Sequence, residues 1–282
     1  MTGALLDDML EARRTRRTYY LITLAATTGS VPRQAGCQMI VYADGATAGT
    51  IGGGKFESLV IAQALALPRK SLPLLKTWPL HEAAADSFGA ICGGTATVLI
   101  EPRLPPPALM LVGAGHCAEA LARLALSCGW QVTVLDDRVE ELAGFPATEC
   151  LAEPAAPLWV AARMWQEDEA LVLVSRNYQL DRDALAAALR NRGMGYLGMI
   201  GSERKVRRVV GELQAAGLPA AAFAGLRAPV GLDLGADHPA EIAVSIFAEI
   251  LTVFHRTSGG PMSLSFSTPA TTAPVDSAGA PA

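Results

Sequence analysis

Four stretches of the chain combine residue types that could do chemistry. In "TIGGGKFE", residues 50–57, Gly52, Gly53 and Gly54 give up side chains at three consecutive positions. That costs backbone entropy, and what it offers is either a sharp turn or bare amides that converge on an anion. Lys55 follows at once, and Glu57 lies within one helical turn. In "ICGG", Cys92 precedes Gly93 and Gly94. This is a second glycine-rich strand end, and its thiol could be reactive or an inert buried group. In "LVGAGHCAEALARLA", Gly113, Gly115 and Ala118 fit G-x-G-x-x-[GA], and Asp136 ends the next apolar run, where a carboxylate would accept from a ribose diol. Last, "SRNYQLD" holds Arg176, Asn177 and Asp181, and "GSERKVRR" holds Gly201, Ser202, Arg204 and Lys205. Cations in the first turn of a helix oppose its dipole, so a bound anion would relieve Arg204 and Lys205. Solvent screening on an exposed turn would serve as well.

These groups need elements to hold them. An amphipathic opening helix with Leu5, Leu6, Met9 and Leu10 on one side runs into Arg13, Arg14, Arg16 and Arg17, read as a solvated helix end. "YYLITLAAT" is a buried strand, and "CQMIVYADGATAGTIGGG" is a hairpin turning at Asp44-Gly45. The helix "FESLVIAQALAL" and the strand in "ICGGTATVLIEP" complete a small α+β domain over 1–104. Pro105 to Pro107 form a stiff connector. From 108 to 256, short apolar strands alternate with helices, which predicts a Rossmann-type parallel sheet covered on both faces. His238 precedes a helix that starts at Pro239 and reads as a cap or a loop residue. Residues 257–282, rich in Ser, Thr, Pro, Ala and Gly, are expected to be a disordered tail. The fold class is therefore α/β: a small N-terminal α+β domain plus a Rossmann-type C-terminal domain.

Composition narrows the function. Half of the 282 residues are apolar and the net charge is −4, which argues against a nucleic-acid partner. The acidic start "MTGALLDDMLEARRTRR" has no apolar run for a leader or a membrane span, so a cytoplasmic location is expected. The five cysteines form no Cys-x-x-Cys pair and no metal-ligand spacing. Cys37 and Cys117 adjoin motifs and rank below Cys92.

Taken in order, "TGSVPRQAG", "GTIGGGKFE", "CGGTATVLIEP", "LVGAGHCAEALARLA", "VTVLDDR", "YLGMIGSERK" and "PVGLDLGADHPAEIAVSIFAEIL" resemble the xanthine dehydrogenase accessory protein (XdhC/CoxI-like) family over residues 18–256. The resemblance implies a maturation chaperone, rather than an enzyme, that binds the molybdopterin form of the molybdenum cofactor. It would protect the cofactor while an oxo ligand is exchanged for sulfur, then pass it to an apo molybdenum hydroxylase. A cysteine desulfurase and a homodimer are further partners it suggests. Many members carry Cys after the triple glycine, where this chain has Lys55, so the resemblance implies a phosphate rather than a sulfur role there and leaves Cys92 as the molybdenum or sulfur contact. The expected cofactor-binding set is Gly52, Gly53, Gly54, Lys55, Glu57, Cys92, Gly93, Gly94, Gly113, Gly115, Asp136, Asn177, Ser202, Arg204 and Lys205. The two glycine-rich ends are expected to share one site facing the Rossmann domain across the proline connector. The alternative is an NAD(P)-dependent oxidoreductase using Gly113, Gly115 and Asp136, against which stands the lack of a recognisable proton-transfer arrangement.

Overall fold

The structure is a computed structural model that describes residues 3–80 and 93–263. Helix α1 (Gly3–Arg14) leads into the strands β1 (Tyr19–Thr28), β2 (Gln38–Tyr42) and β3 (Thr47–Gly49). Helix α2 (Gly54–Leu65) and the strands β4 (Leu74–Pro79) and β5 (Thr95–Arg103) follow. The five strands form one antiparallel sheet in the order β3-β2-β1-β5-β4. The β2–β3 turn falls at Asp44-Gly45, where Asp44 Oδ1 accepts the Ala46 N–H at 3.1 Å. Phe56, Val60 and Ala64 of α2 bury one sheet face against Ile22, Met39, Val98 and Ile100. Leu5 and Ala12 of α1 cover the other face over Leu21, Ile40 and Tyr42. This strip is narrower than the sequence suggests, for Leu6 and Leu10 remain 48% and 57% exposed. Strand β4 adds to the expected pattern; it is an edge strand, where a terminal proline removes no ladder bond.

The second sheet is parallel throughout. It is built from β6 (Ala108–Val112), α3 (His116–Ser127), β7 (Gln131–Asp136), α4 (Val139–Leu142), β8 (Glu149–Ala152) and α5 (Ala156–Ala162). It continues through β9 (Glu169–Leu173), α6 (Tyr178–Arg190), β10 (Tyr196–Met199), α7 (Glu203–Ala215), β11 (Leu226–Arg227) and α8 (Pro239–His255). The order β11-β10-β9-β6-β7-β8 is that of a doubly wound Rossmann sheet, with its switch point between β6 and β9. Every residue of β6 and β9 is buried, which requires cover on both faces. Ala118, Leu121, Ala122 and Ala125 of α3 pack with Ala243, Ile246, Phe247 and Ile250 of α8 on one side. Residues of α5, α6 and α7 form the core on the other. Among the described residues no helix is long and apolar enough to cross a membrane.

The basic run after α1 does not behave as one solvated helix end. Arg14 does pair with Glu11 in the open, but Arg16, at φ 54°, turns inward and its side chain is only 17% exposed. It donates to the Pro106 carbonyl at 2.5 Å and to Asp168 Oδ2 at 3.1 Å, and lies 3.4 Å from Glu169 Oε1. Two desolvated carboxylates at the start of β9 need a counter-charge, and Arg16 supplies it from across the junction.

Candidate functional site

Two concave regions gather the residues singled out by the sequence. At the first, Gly52, Gly53 and Gly54 all adopt positive φ (141°, 74° and 64°), a path closed to most side chains, and α2 begins at the last of them. The expected anion nest is engaged from within. The Ile51 and Gly53 amides each donate to Glu57 Oε2 at 3.0 Å, and Thr50 Oγ1 donates to the same oxygen at 2.5 Å. Burial pushes the Glu57 carboxyl up, but the bonds from Thr50 and the Gly53 and Ile51 amides outweigh this and hold it below its ordinary value. Glu57 thus stands where a phosphate was expected. Lys55 is exposed on the first turn of α2. Gly94 is buried so tightly against the Thr28 and Ser30 carbonyls that any side chain would collide with them, and Gly52 packs on Pro32. The loop from Gly29 to Gly36 therefore joins the two glycine-rich ends. Beside it a cavity of about 490 Å³ is lined by Arg33, Cys37, Gln38, Gly49 and Thr50. Cys92 lies outside the described residues; Gly93 is exposed at their border.

The second region lies at the carboxyl ends of β6, β9 and β10. A cavity of about 430 Å³ is lined by Gly113, Gly115, Cys117, Arg138, Arg176 and Ile200, among others. Gly113, at φ 112°, allows the turn to pass against β9: an added Cβ would sit 2.8 Å from Ser175 Cα. Gly115 differs. It has ordinary φ, an added Cβ would meet nothing within 4 Å, and no side chain caps the N-terminus of α3. The helix thus presents its first amides to open space, as an anion site requires. Cys117 lies on that turn, but burial pushes its thiol up, away from the thiolate.

Asp136 does not offer a ribose acceptor. Its Oδ2 accepts the Ala114 N–H at 2.7 Å and Arg138 Nη2 at 2.8 Å, and its Oδ1 accepts the Arg138 N–H and Nε at 3.0 and 2.9 Å. Burial raises this carboxyl, Arg138 more than reverses that, and the net shift is downward. Asp136 therefore locks the glycine turn and places Arg138 on the cavity rim. Arg138 was missed as a site residue; the "DDR" spacing, which lets a guanidinium fold back onto a strand-end carboxylate, is the signal that could have found it. Asn177 caps α6, accepting from the Gln179 and Leu180 amides, and Ser202 caps α7, accepting from the Lys205 amide. Lys205 Nζ donates to the fully buried Asp181 Oδ2 at 2.5 Å and to the Ile200 carbonyl at 3.2 Å. An internal carboxylate thus offsets the Lys205 cation, in place of a bound anion or solvent screening. Arg204 is exposed.

The structure does not bring the two regions together. In the β1–β5 ladder Thr28 pairs with Thr95 at the glycine end, while Tyr19 pairs with Arg103 at the connector end. Nine strand steps separate these ends, roughly 30 Å. Arg16 and Arg13 meet Pro106, Gln131 and Asp168 at the connector end, beside the amino ends of β6, β7 and β9. The expected shared site facing the Rossmann domain is therefore corrected. The glycine-rich ends meet each other, and among the described residues no hydrogen bond links them to the Rossmann turn. Among the described residues no group of three or more His, Cys, Asp or Glu is placed to hold a metal ion.

Comparison with known proteins follows these boundaries. The family model of the XdhC Rossmann domain matches residues 109–250, and that of the XdhC and CoxI family matches residues 12–76. The uncharacterized protein YqeB of Escherichia coli (strain K12) is 36% identical over 251 residues, covering 86% of this chain and 45% of its own length. A probable xanthine dehydrogenase subunit of Bacillus subtilis (strain 168) is 30% identical over 164 residues, covering 57% of this chain and 47% of its own. The chain thus spans about half the length of these curated relatives. A solved structure of a xanthine dehydrogenase from Bacillus halodurans, 21% identical, covers 90% of this chain and 97% of its own with a TM-score of 0.48.

Proposed function

Because the chain belongs to the XdhC family, we propose that it serves the maturation of a molybdenum hydroxylase of the xanthine dehydrogenase type. It holds a molybdopterin-type cofactor by its phosphate while that cargo receives sulfur, and releases it to the apoenzyme. The observation that carries the reading is the uncapped α3 turn at Gly115, open to a cavity with Arg138 and Arg176 on its wall. Amides at a helix start and the Arg176 guanidinium fit a phosphate or pyrophosphate, and Arg138, whose guanidinium is shared between Asp136 and Glu141, adds charge at the rim. The triple-glycine turn fits less well, because Glu57 already occupies the Ile51 and Gly53 amides. What the cargo supplies is molybdenum chemistry in the hydroxylase; what this chain supplies is a hold on the phosphate and a partly enclosed surface. The apo hydroxylase, a cysteine desulfurase as sulfur source and a second copy of the chain are the partners of this reading. Similarity to a curated relative named for xanthine dehydrogenase supports the first of them.

The second reading, an NAD(P)-dependent oxidoreductase, draws on the Rossmann strand order. It is weakened by Asp136, whose oxygens are taken by Ala114 and Arg138. Titration calorimetry with nicotinamide dinucleotides separates the two.

The test is a Gly115→Asp substitution. The new carboxylate caps α3 and occupies the anion position itself, so the melting temperature is unchanged or slightly higher. When the chain is co-expressed with cofactor synthesis, the wild type should carry pterin, read as form-A fluorescence, together with molybdenum, and the variant should lose both. A wild-type protein free of pterin, or a variant that retains it, overturns the reading.

A further inference from the structure

We propose that the cleft at the junction of the two sheets binds a phosphate-bearing anion, held jointly by both halves of the chain. The cleft encloses about 670 Å³ and is lined by Arg16, Thr18 and Arg69 from the first half and Trp159, Arg163 and Glu169 from the second, among others. It lies at the amino ends of the parallel strands, opposite the Gly115 turn, and does not depend on the function proposed above.

Three guanidiniums meet here beside two carboxylates, Glu169 and Asp168. Glu169, almost fully buried, accepts Arg163 Nη2 at 2.7 Å and the Gln166 N–H at 3.1 Å, with Arg16 Nε at 3.4 Å. Asp168 Oδ2 is taken by Arg16, while its buried Oδ1 has no partner among the described residues. Arg69 has a neutral partner: its Nη2 donates to Thr18 Oγ1 at 2.7 Å, and among the described residues no carboxylate pairs with it. Arg163 Nε is buried with no acceptor among the described residues, and its guanidinium lies 5.0 Å from the Trp159 ring centre and 5.4 Å from that of Trp165. Arg16 is pushed down by burial; Asp168 and Glu169 oppose that shift, and Arg163 and Arg69 add to it by repulsion.

Three guanidiniums against two carboxylates leave an excess of positive charge beside the cavity. A phosphate group offers what that cavity lacks: up to two negative charges and several acceptor oxygens for planar guanidinium forks. Because the walls come from both halves, an occupant would also clamp the junction and raise the melting temperature of the whole chain.

Pyrophosphate and inorganic phosphate are the probes, titrated by calorimetry into full-length Gly115→Asp protein, in which the α3 turn is closed, and into the Gly115→Asp/Arg69→Gln double variant. Arg69 is exposed on a turn, and among the described residues its side chain bonds Thr18 Oγ1 alone; the melting temperature of the ligand-free double variant checks that the fold is kept. The single variant should bind one equivalent of pyrophosphate and melt at a higher temperature in its presence. The double variant should bind at least about tenfold more weakly and lose that rise. No saturable binding by the single variant, or equal affinity in the two, overturns the proposal. Neither result bears on whether the Gly115 turn holds cofactor.

Discussion

Glu57 sets the local chemistry of the triple-glycine turn. One carboxylate oxygen collects Thr50 Oγ1 and two backbone amides, so the glycines that look built for a foreign anion hold one supplied from four residues further along. Glu57→Gln removes the charge from these bonds and should destabilise the chain by about 1–3 kcal/mol at neutral pH, measured by urea unfolding. The pH dependence has a definite sign. Glu57 lies below its ordinary 4.5 in the folded chain, so its contribution is present above that value and is lost as pH falls through the folded pKa. The acid limb of the stability curve should therefore be shallower in the glutamine variant.

At the scale of elements, α6 and α7 are tied at the carboxyl edge of the sheet by a buried ion pair, with Arg182 and Glu212 pairing farther out at 3.5 Å. Asp181 is fully buried and Lys205 reaches it from the first turn of α7. Burial pushes the Asp181 carboxyl up and Lys205 offsets only part of the shift. A raised acid favours the folded state below its unfolded pKa and loses that advantage as pH rises through the folded value. Lys205→Met strips away the offset. It should cost about 3–5 kcal/mol at neutral pH, recover much of this near pH 4, and become nearly independent of pH once Asp181→Asn is added. Chemical denaturation across pH 4–8 reads all three. If Lys205→Met is as stable as the wild type at pH 7, the pair does not tie these helices.

For the whole molecule, Arg16 is the joint. It links the connector carbonyl of Pro106 with Asp168 and Glu169 at the start of β9. We propose that residues 1–104 and 108–256 are separate folding units coupled mainly there. Arg16→Ala leaves two carboxylates without their shared counter-charge, and calorimetry should then resolve two unfolding transitions where the wild type gives one. A single transition in the variant would mean that the units are coupled by other contacts.

Much of the fold was legible because it rests on local rules. A β-branched apolar run marked β1, alternation marked β5, Asp44-Gly45 marked the hairpin, and the glycine turn between β6 and α3 with the acid ending β7 marked a Rossmann unit. The partners of the candidate site residues were not legible, since a charge in a sequence does not say which opposite charge will reach it. Lys205 meets Asp181 from 24 positions away, and Arg16 meets Asp168 from 152 positions away. By itself the sequence determined where backbone must be bare, the family to which the chain belongs, and most of the elements, though not β4, α4, β8 or α5. Only the tertiary structure decided that Glu57 fills the glycine turn, that Asp136 is spent on Arg138, that the glycine-rich ends lie away from the Rossmann turn, and that three arginines converge at the junction. Each of these depends on how distant segments desolvate one another, and desolvation is a property of the packed chain rather than of any stretch of it.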